Sequence, residues 1–164
     1  CHTDEIWYRH MRFVNPMLKH SKSGGWIYDK CLERCLISPS SVMMHSKLFD
    51  TIGLFDITLP ACEDYDFWLR MTAQLPVLYI QDKLTIKYGG HKDQLSQRYW
   101  GMDRFRIKSL CKMLDSATLT QLQQTATLQI LEKKLHILKL GAMKRQKITD
   151  INNYDTIYNK YFAT

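Results

Sequence analysis

The spacing of apolar residues changes once along this chain, and that change limits the fold more than any other feature. Up to about residue 93 the apolar residues alternate or gather in short runs, as in Val77-Leu78-Tyr79-Ile80 and Leu84-Thr85-Ile86-Lys87-Tyr88. From about Gln94 they recur at three- and four-residue steps. Leu95, Tyr99, Met102 and Phe105 lead on to Leu110, Met113 and Leu114; Leu128, Leu131, Leu135 and Leu138 follow, then Ile151, Tyr154, Ile157, Tyr158 and Tyr161. Period-two segments make strands, whereas stripes of period 3.6 make helices with one buried face. The expected class is therefore α/β (α+β): a small sheet domain over residues 1–93, then a helical region over 94–164 with joints at Asp115-Ser116 and residues 146–149 and no strand after residue 115.

Within the first part, residues 1–9 read as a strand, and Arg12-Phe13-Val14 can pair back onto it across a His10-Met11 turn. The polar loop Lys19-His20-Ser21-Lys22-Ser23-Gly24-Gly25 is either mobile or shaped for close approach to a ligand, and it is no P-loop, because no Gly-Lys-Ser/Thr follows at the required spacing. A helix is expected near residues 26–33, with Trp26, Ile27, Cys31 and Leu32 as its apolar members. Residues 38–46 read as a strand with Val42 and Met44 alternating against Met43 and His45; residues 47–52 read as a short helix closed by a left-handed Gly53, after which Leu54-Phe55 bury. Two strands, 77–80 and 84–88, separated by Gln81-Asp82-Lys83, complete this part.

Between them lies Leu59-Pro60-Ala61-Cys62-Glu63-Asp64-Tyr65-Asp66-Phe67-Trp68-Leu69-Arg70, a helix start rich in carboxylates. Helix N-termini favour proline and negative side chains, because their N–H groups are unpaired and the dipole is positive there. Tyr65, Trp68, Leu69 and Thr72 share one face, and the helix should end near Gln74, ahead of Pro76. Asp66 and Arg70 are four apart, which suits a structural ion pair. Glu63 and Asp64 stand in the first turn, where a carboxylate either complements the dipole or faces a cleft as a base.

Five cysteines at irregular spacing make no disulfide framework, and Cys31 and Cys35 lack zinc-site spacing, so they read as buried thiols. Lys and Arg outnumber Asp and Glu by 23 to 16, a formal charge of +7, with much of the excess after residue 100. A basic surface of this kind suits anionic lipid, nucleic acid or phosphorylated ligands. No zinc-finger spacing, ribonucleoprotein motif or helix-turn-helix accompanies it, so nucleic acid is not the expected partner. No apolar run approaches the ~20 residues that span a bilayer and no signal peptide is visible, which points to a cytoplasmic chain, with peripheral contact at the inner membrane face through the basic helical tail.

Three pieces in order carry a resemblance: Ser38-Pro39-Ser40-Ser41-Val42-Met43-Met44, Leu48-Phe49-Asp50-Thr51-Ile52-Gly53-Leu54-Phe55-Asp56, and Cys62-Glu63-Asp64-Tyr65-Asp66-Phe67-Trp68-Leu69-Arg70. Together they resemble the acceptor-side half of family 2 glycosyltransferases of GT-A type, most clearly from about Leu36 to Trp100. The wording around Trp100-Gly101-Met102-Asp103-Arg104-Phe105-Arg106 is similar to a narrower bacterial subgroup. The resemblance implies inverting transfer from a nucleotide sugar to a hydroxyl of a sugar or lipid-linked acceptor, with Asp64 as general base, Glu63 beside it, and Tyr65, Ser40 and Ser41 at the acceptor. His91, in the loop after the last strand, is implied as a metal or diphosphate contact, and the complete enzyme would use a divalent metal, Mg or Mn. Gln97-Arg98-Tyr99-Trp100 does not match the Q-x-x-R-W of processive synthases, so chain polymerisation is not implied. Asp4-Glu5 is only superficially similar to the family's acidic metal motif, since this segment corresponds to a region downstream of it. The nucleotide-binding half, with its D-x-D motif, finds no counterpart in these residues. The expectation is a truncated domain that binds no cofactor alone, is inactive alone and tends to self-associate. The rival readings are a non-catalytic interaction protein derived from a glycosyltransferase and, further off, a basic nucleic-acid-binding domain.

Overall fold

The computed structural model describes residues 1–15, 18–90 and 98–163, with only the backbone of Lys19. Strand β1 (His2–Arg9) turns through His10 and Met11, both at positive φ (49° and 61°), into the antiparallel strand β2 (Arg12–Val14). Positive φ at both central residues matches the right-handed twist of a tight hairpin, so the expected pairing is observed. Strand β3 (Tyr79–Gly89) lies parallel to β1 on its other side, giving the order β2-β1-β3. The two strands expected over 77–88 are one strand. Thr3 pairs with Ile80, Asp4 with Lys83 and Glu5 with Thr85, so the intervening residues are absorbed as bulges instead of breaking the ladder.

Helix α1 (Tyr28–Glu33) begins later than its apolar pattern suggests. Gly25 exchanges backbone hydrogen bonds with Val77 (2.8 and 3.0 Å), pinning the chain there, and Trp26 is left outside the helix, 69% exposed. A Cβ at Gly24 would stand 2.8 Å from the Val77 carbonyl oxygen and 2.9 Å from the Tyr79 nitrogen, so the glycine loop serves close approach to the start of β3. Residues 38–46 do not form the expected strand. Pro39–Ser41 is a 3-10 turn, and the segment meets the sheet through an isolated backbone bridge from Val42 to His2 and side-chain bonds from Thr85 and Lys87 instead of a continuous ladder. The alternation survives in burial, with Val42 and Met44 partly covered and Met43 and His45 exposed.

Helix α2 (Leu48–Ile52) is closed by Gly53 at φ 85°, ψ 179°, a region open essentially to glycine alone. Phe55 then stacks on Phe67 at 4.7 Å, but Leu54 is 72% exposed, because its carbonyl turns inward to accept from Arg70. Helix α3 (Glu63–Thr72) is followed by α4 (Asp103–Asp115), α5 (Gln121–Lys144) and α6 (Ile148–Phe162). The stripe expected to start at Leu95 falls partly outside the described residues; Gly101 (φ 63°) interrupts it, and α4 begins at Asp103. Thr120 and Gln123 form a reciprocal capping box that starts α5 cleanly. Among the described residues no strand follows Gly89.

The core sits among helices. Ile27, Cys31 and Leu32 from the α1 region, Tyr65, Phe67, Trp68 and Leu69 of α3, Ile107 and Leu110 of α4, and Leu131 and Leu135 of α5 form one buried cluster. A buried hydrogen bond between Tyr28 and Thr127 (2.7 Å) links its two sides. The helices α1 and α3 thus pack chiefly on each other and on α4 and α5, while β3 is exposed along most of its length. Among the described residues no helix is long and apolar enough to cross a membrane.

Candidate functional site

The acidic helix is anchored by its own motif residues. Asp66 is buried and receives Arg70 at 3.0 Å, as the four-residue spacing predicts, and also Lys112 of α4 at 2.8 Å. Arg70 donates to the carbonyls of Ile52 and Leu54 at the end of α2, and Lys112 reaches Asp56 at 2.6 Å. Lysine and two Thr58 hydrogen bonds hold the Asp56 carboxyl far below the usual carboxylate range. The Gly53-Leu54-Phe55-Asp56 and Glu63-to-Arg70 pieces are therefore one structural unit, clamping α2, α3 and α4 together.

That clamp fixes the first turn of α3. Cys62, just before it, holds left-handed φ 64°, ψ 22°, a conformation that costs a non-glycine residue about 1 kcal/mol or more. Glu63 and Asp64 follow, both half-buried. Asp64 accepts from the Tyr65 backbone N–H through one oxygen (2.7 Å) and from the Cys35 thiol through the other (3.2 Å). Burial, then the Asp64 charge, pushes the Cys35 thiol well up, so it stays a protonated and weak donor. Glu63 makes no side-chain hydrogen bond to the described residues. Behind the pair, Arg106 lies over the Tyr65 ring (5.7 Å) and binds Asp103 at 3.0 Å, and Asp103 takes Lys134 at 2.9 Å. Burial raises the Cys62 thiol to about 11, with Arg106 opposing. A half-exposed carboxylate with one oxygen occupied only by a thiol is chemically able to accept a proton from a hydroxyl.

The other predicted residues stand elsewhere. Tyr65 is buried, with its hydroxyl donating to the Leu32 carbonyl (2.7 Å), so in this structure it is a core residue and presents no hydroxyl to an acceptor. Trp68 is likewise in the core, as its helical face requires. Ser41 is buried and accepts from Lys22 (2.8 Å), while Ser40 is exposed and offers its carbonyl to Thr85 (3.4 Å). His91 lies outside the described residues.

Lys22 is the hub of a second cluster, on the sheet. It meets Glu5 at 3.0 Å and the Thr3 carbonyl at 2.8 Å, and Trp7 donates to Glu5 at 2.7 Å. Burial opposes ionisation of Glu5, but hydrogen bonds from Ser38, Lys22 and Trp7 outweigh it and bring the carboxyl down to about 2. Asp4 meanwhile accepts the Glu5 backbone N–H (2.9 Å). Asp4 and Glu5 thus do not converge on a common point, and a divalent cation, which wants several oxygen ligands, does not fit them. Among the described residues no group of three or more His, Cys, Asp or Glu could hold a metal.

Three of the contacts above, Lys112 to Asp66, Cys35 to Asp64 and Lys22 to Glu5, join residues far apart in the chain, and no local spacing announces them. Two larger cavities lie elsewhere. One of 520 Å³ borders the clamp at Arg70, Lys112 and Asp115, and one of 510 Å³ lies between α5 and α6 at His136, Lys139 and Tyr154. Neither is lined by Glu63 or Asp64.

Comparison with known proteins places this geometry in context. The chain is 33% identical over 67 residues to a protein of Rickettsia conorii described as an uncharacterized glycosyltransferase, covering 41% of this chain and 11% of the relative. Proteins of the same description from Rickettsia felis and Rickettsia bellii match at the same identity and length, over 11% and 10% of their sequences. The similarity supports a relationship to glycosyltransferases. The matched segment is about a tenth of those relatives' length. No family model matches the chain, and no solved structure does.

Proposed function

We propose that residues 1–164 form the acceptor side of an inverting glycosyltransferase of family 2, GT-A type, in which Asp64 is the general base. The observation that carries this reading is the Asp64 carboxylate itself. It is held at the first turn of a helix clamped to the end of α2 and to α4, half-open to solvent, with one oxygen occupied only by the Cys35 thiol. The similarity to proteins described as glycosyltransferases supplies the reaction class. In the reaction, Asp64 takes the proton of the acceptor hydroxyl as its oxygen attacks the anomeric carbon, and the diphosphate leaves from the opposite face. Glu63, beside it in the same first turn, orients the acceptor. Positioning supplies much of the rate, and the Asp66–Arg70–Lys112 clamp keeps the helix start fixed while it does so.

We assign the nucleotide sugar to residues outside 1–164, because among the described residues no group of three or more His, Cys, Asp or Glu could hold the metal that a diphosphate needs. Calorimetry on the 164-residue chain with nucleotide sugars and manganese tests that assignment. No micromolar binding is expected. Micromolar, metal-dependent binding would contradict the acceptor-side reading and would turn attention to the sheet cluster around Glu5.

A further inference from the structure

Three cations converge on one indole at the joint between α5 and α6. The Arg104 guanidinium lies 3.9 Å from the Trp100 ring centre, Lys147 Nζ 4.6 Å and the Arg145 guanidinium 5.5 Å. Backbone geometry builds the arrangement. Arg104 folds back to donate to the Trp100 carbonyl (2.9 Å), past Gly101. The left-handed Gln146 (φ 54°) and the bond from Lys147 N–H to the Ala142 carbonyl (3.0 Å) return Lys147 toward Trp100. Gly141 leaves room for the Arg145 guanidinium, which a Cβ there would meet at 2.9 Å.

Among the described residues no carboxylate lies within ion-pair distance of Arg104, Arg145 or Lys147. Asp103, adjacent in sequence, is taken by Arg106 and Lys134. Three like charges around a ring that is 46% exposed repel one another, and an anion relieves that repulsion. The same joint carries exposed apolar side chains within a few residues of Arg145 and Lys147 in sequence: Leu140 (45%), Met143 (53%) and Ile148 (69%), with Lys144 between them. A nucleic-acid groove would need no such apolar flank. Basic residues around a tryptophan beside protruding aliphatic side chains suit a membrane surface, where phosphate headgroups meet the cations and acyl chains meet the aliphatics.

We infer that the α5–α6 joint is a docking site for an anionic lipid surface, with Arg104, Arg145 and Lys147 taking the headgroup phosphate and Leu140, Met143 and Ile148 entering the interface. The inference is independent of the transfer chemistry and stands or falls separately from it.

The test is flotation of the whole chain with vesicles of phosphatidylcholine alone and with phosphatidylglycerol added. Binding is expected only to the anionic vesicles, weakened at high salt. Each cation neutralised, as in Arg145→Gln or Lys147→Gln, should weaken it about fivefold. Leu140→Ser with Met143→Ser should weaken it without altering the salt dependence. All these positions are on the surface, and circular dichroism confirms that the variants fold. Equal binding to neutral vesicles, anionic binding untouched by the charge variants, or no vesicle binding with a gel shift of a single-stranded oligonucleotide through the same cations would each overturn the inference.

Discussion

Replacing Asp66 with asparagine keeps the shape of the side chain and removes the charge on which the α2–α3–α4 clamp converges. Asp66 is only 2% exposed and receives Arg70 and Lys112 at 3.0 and 2.8 Å. Removing one member of a fully buried ion pair costs about 3–5 kcal/mol. Here the partners keep 21% and 42% of their side-chain surface in water, which lets each rehydrate in part, so about 2–3 kcal/mol is the expected loss. With a urea dependence of about 2 kcal/mol per molar, the unfolding midpoint should fall by about 1–1.5 M at unchanged slope. Equilibrium unfolding followed by circular dichroism reads this directly. A double-mutant cycle with Arg70→Met should give a coupling of at least about 0.5 kcal/mol, because the two residues share one network. A midpoint shift below about 0.25 M would refute the claim that this carboxylate holds the three helices together.

Acid should unfold the protein in a defined window. Burial lowers the His2 pKa below 6.5 and hydrogen bonds lower that of Glu5 from 4.5 to about 2, so both groups bind protons more readily in the unfolded chain. Their contributions are complete above about pH 6.5 and are lost as pH falls toward 2, and Lys22→Met should flatten the lower part of that profile in pH-dependent unfolding. Thr120→Ala removes the capping box of α5 and should cost about 1 kcal/mol, lowering the melting temperature by about 2–4 °C. Native protein should show fewer than five thiols reacting rapidly with a disulfide reagent at pH 8, because burial raises Cys31 to about 12 and Cys62 to about 11; in urea all five should react.

What could be read from the sequence was local. The β1–β2 hairpin, the short helix ending at Gly53, the acidic helix with its Asp66–Arg70 pair, and the joints of the helical tail all depend on spacings of a few residues. What could not be read was set by partners far along the chain. The bulged, continuous β3 exists because β1 supplies a ladder across Gln81-Asp82-Lys83, and the 3-10 turn at Pro39 replaces a strand because its segment makes a single backbone bridge, at Val42, and no ladder with the sheet. Lys112 and Cys35 meet the acidic helix only once the fold is formed. Tyr65 is the instructive case. Periodicity put it on the same face as Trp68 and Leu69, and that face is buried, so the pattern already argued against an exposed hydroxyl.

The central claim is that Asp64 serves as the acceptor base, and transfer by the complete polypeptide that carries these residues tests it most directly. With a labelled nucleotide sugar at saturation, Asp64→Asn should lower turnover by about 10²–10⁴-fold while the donor dissociation constant stays within about twofold, since a base acts in the transition state and not in holding the nucleotide. Turnover within tenfold of wild type would contradict the assignment, and so would a loss confined to donor affinity.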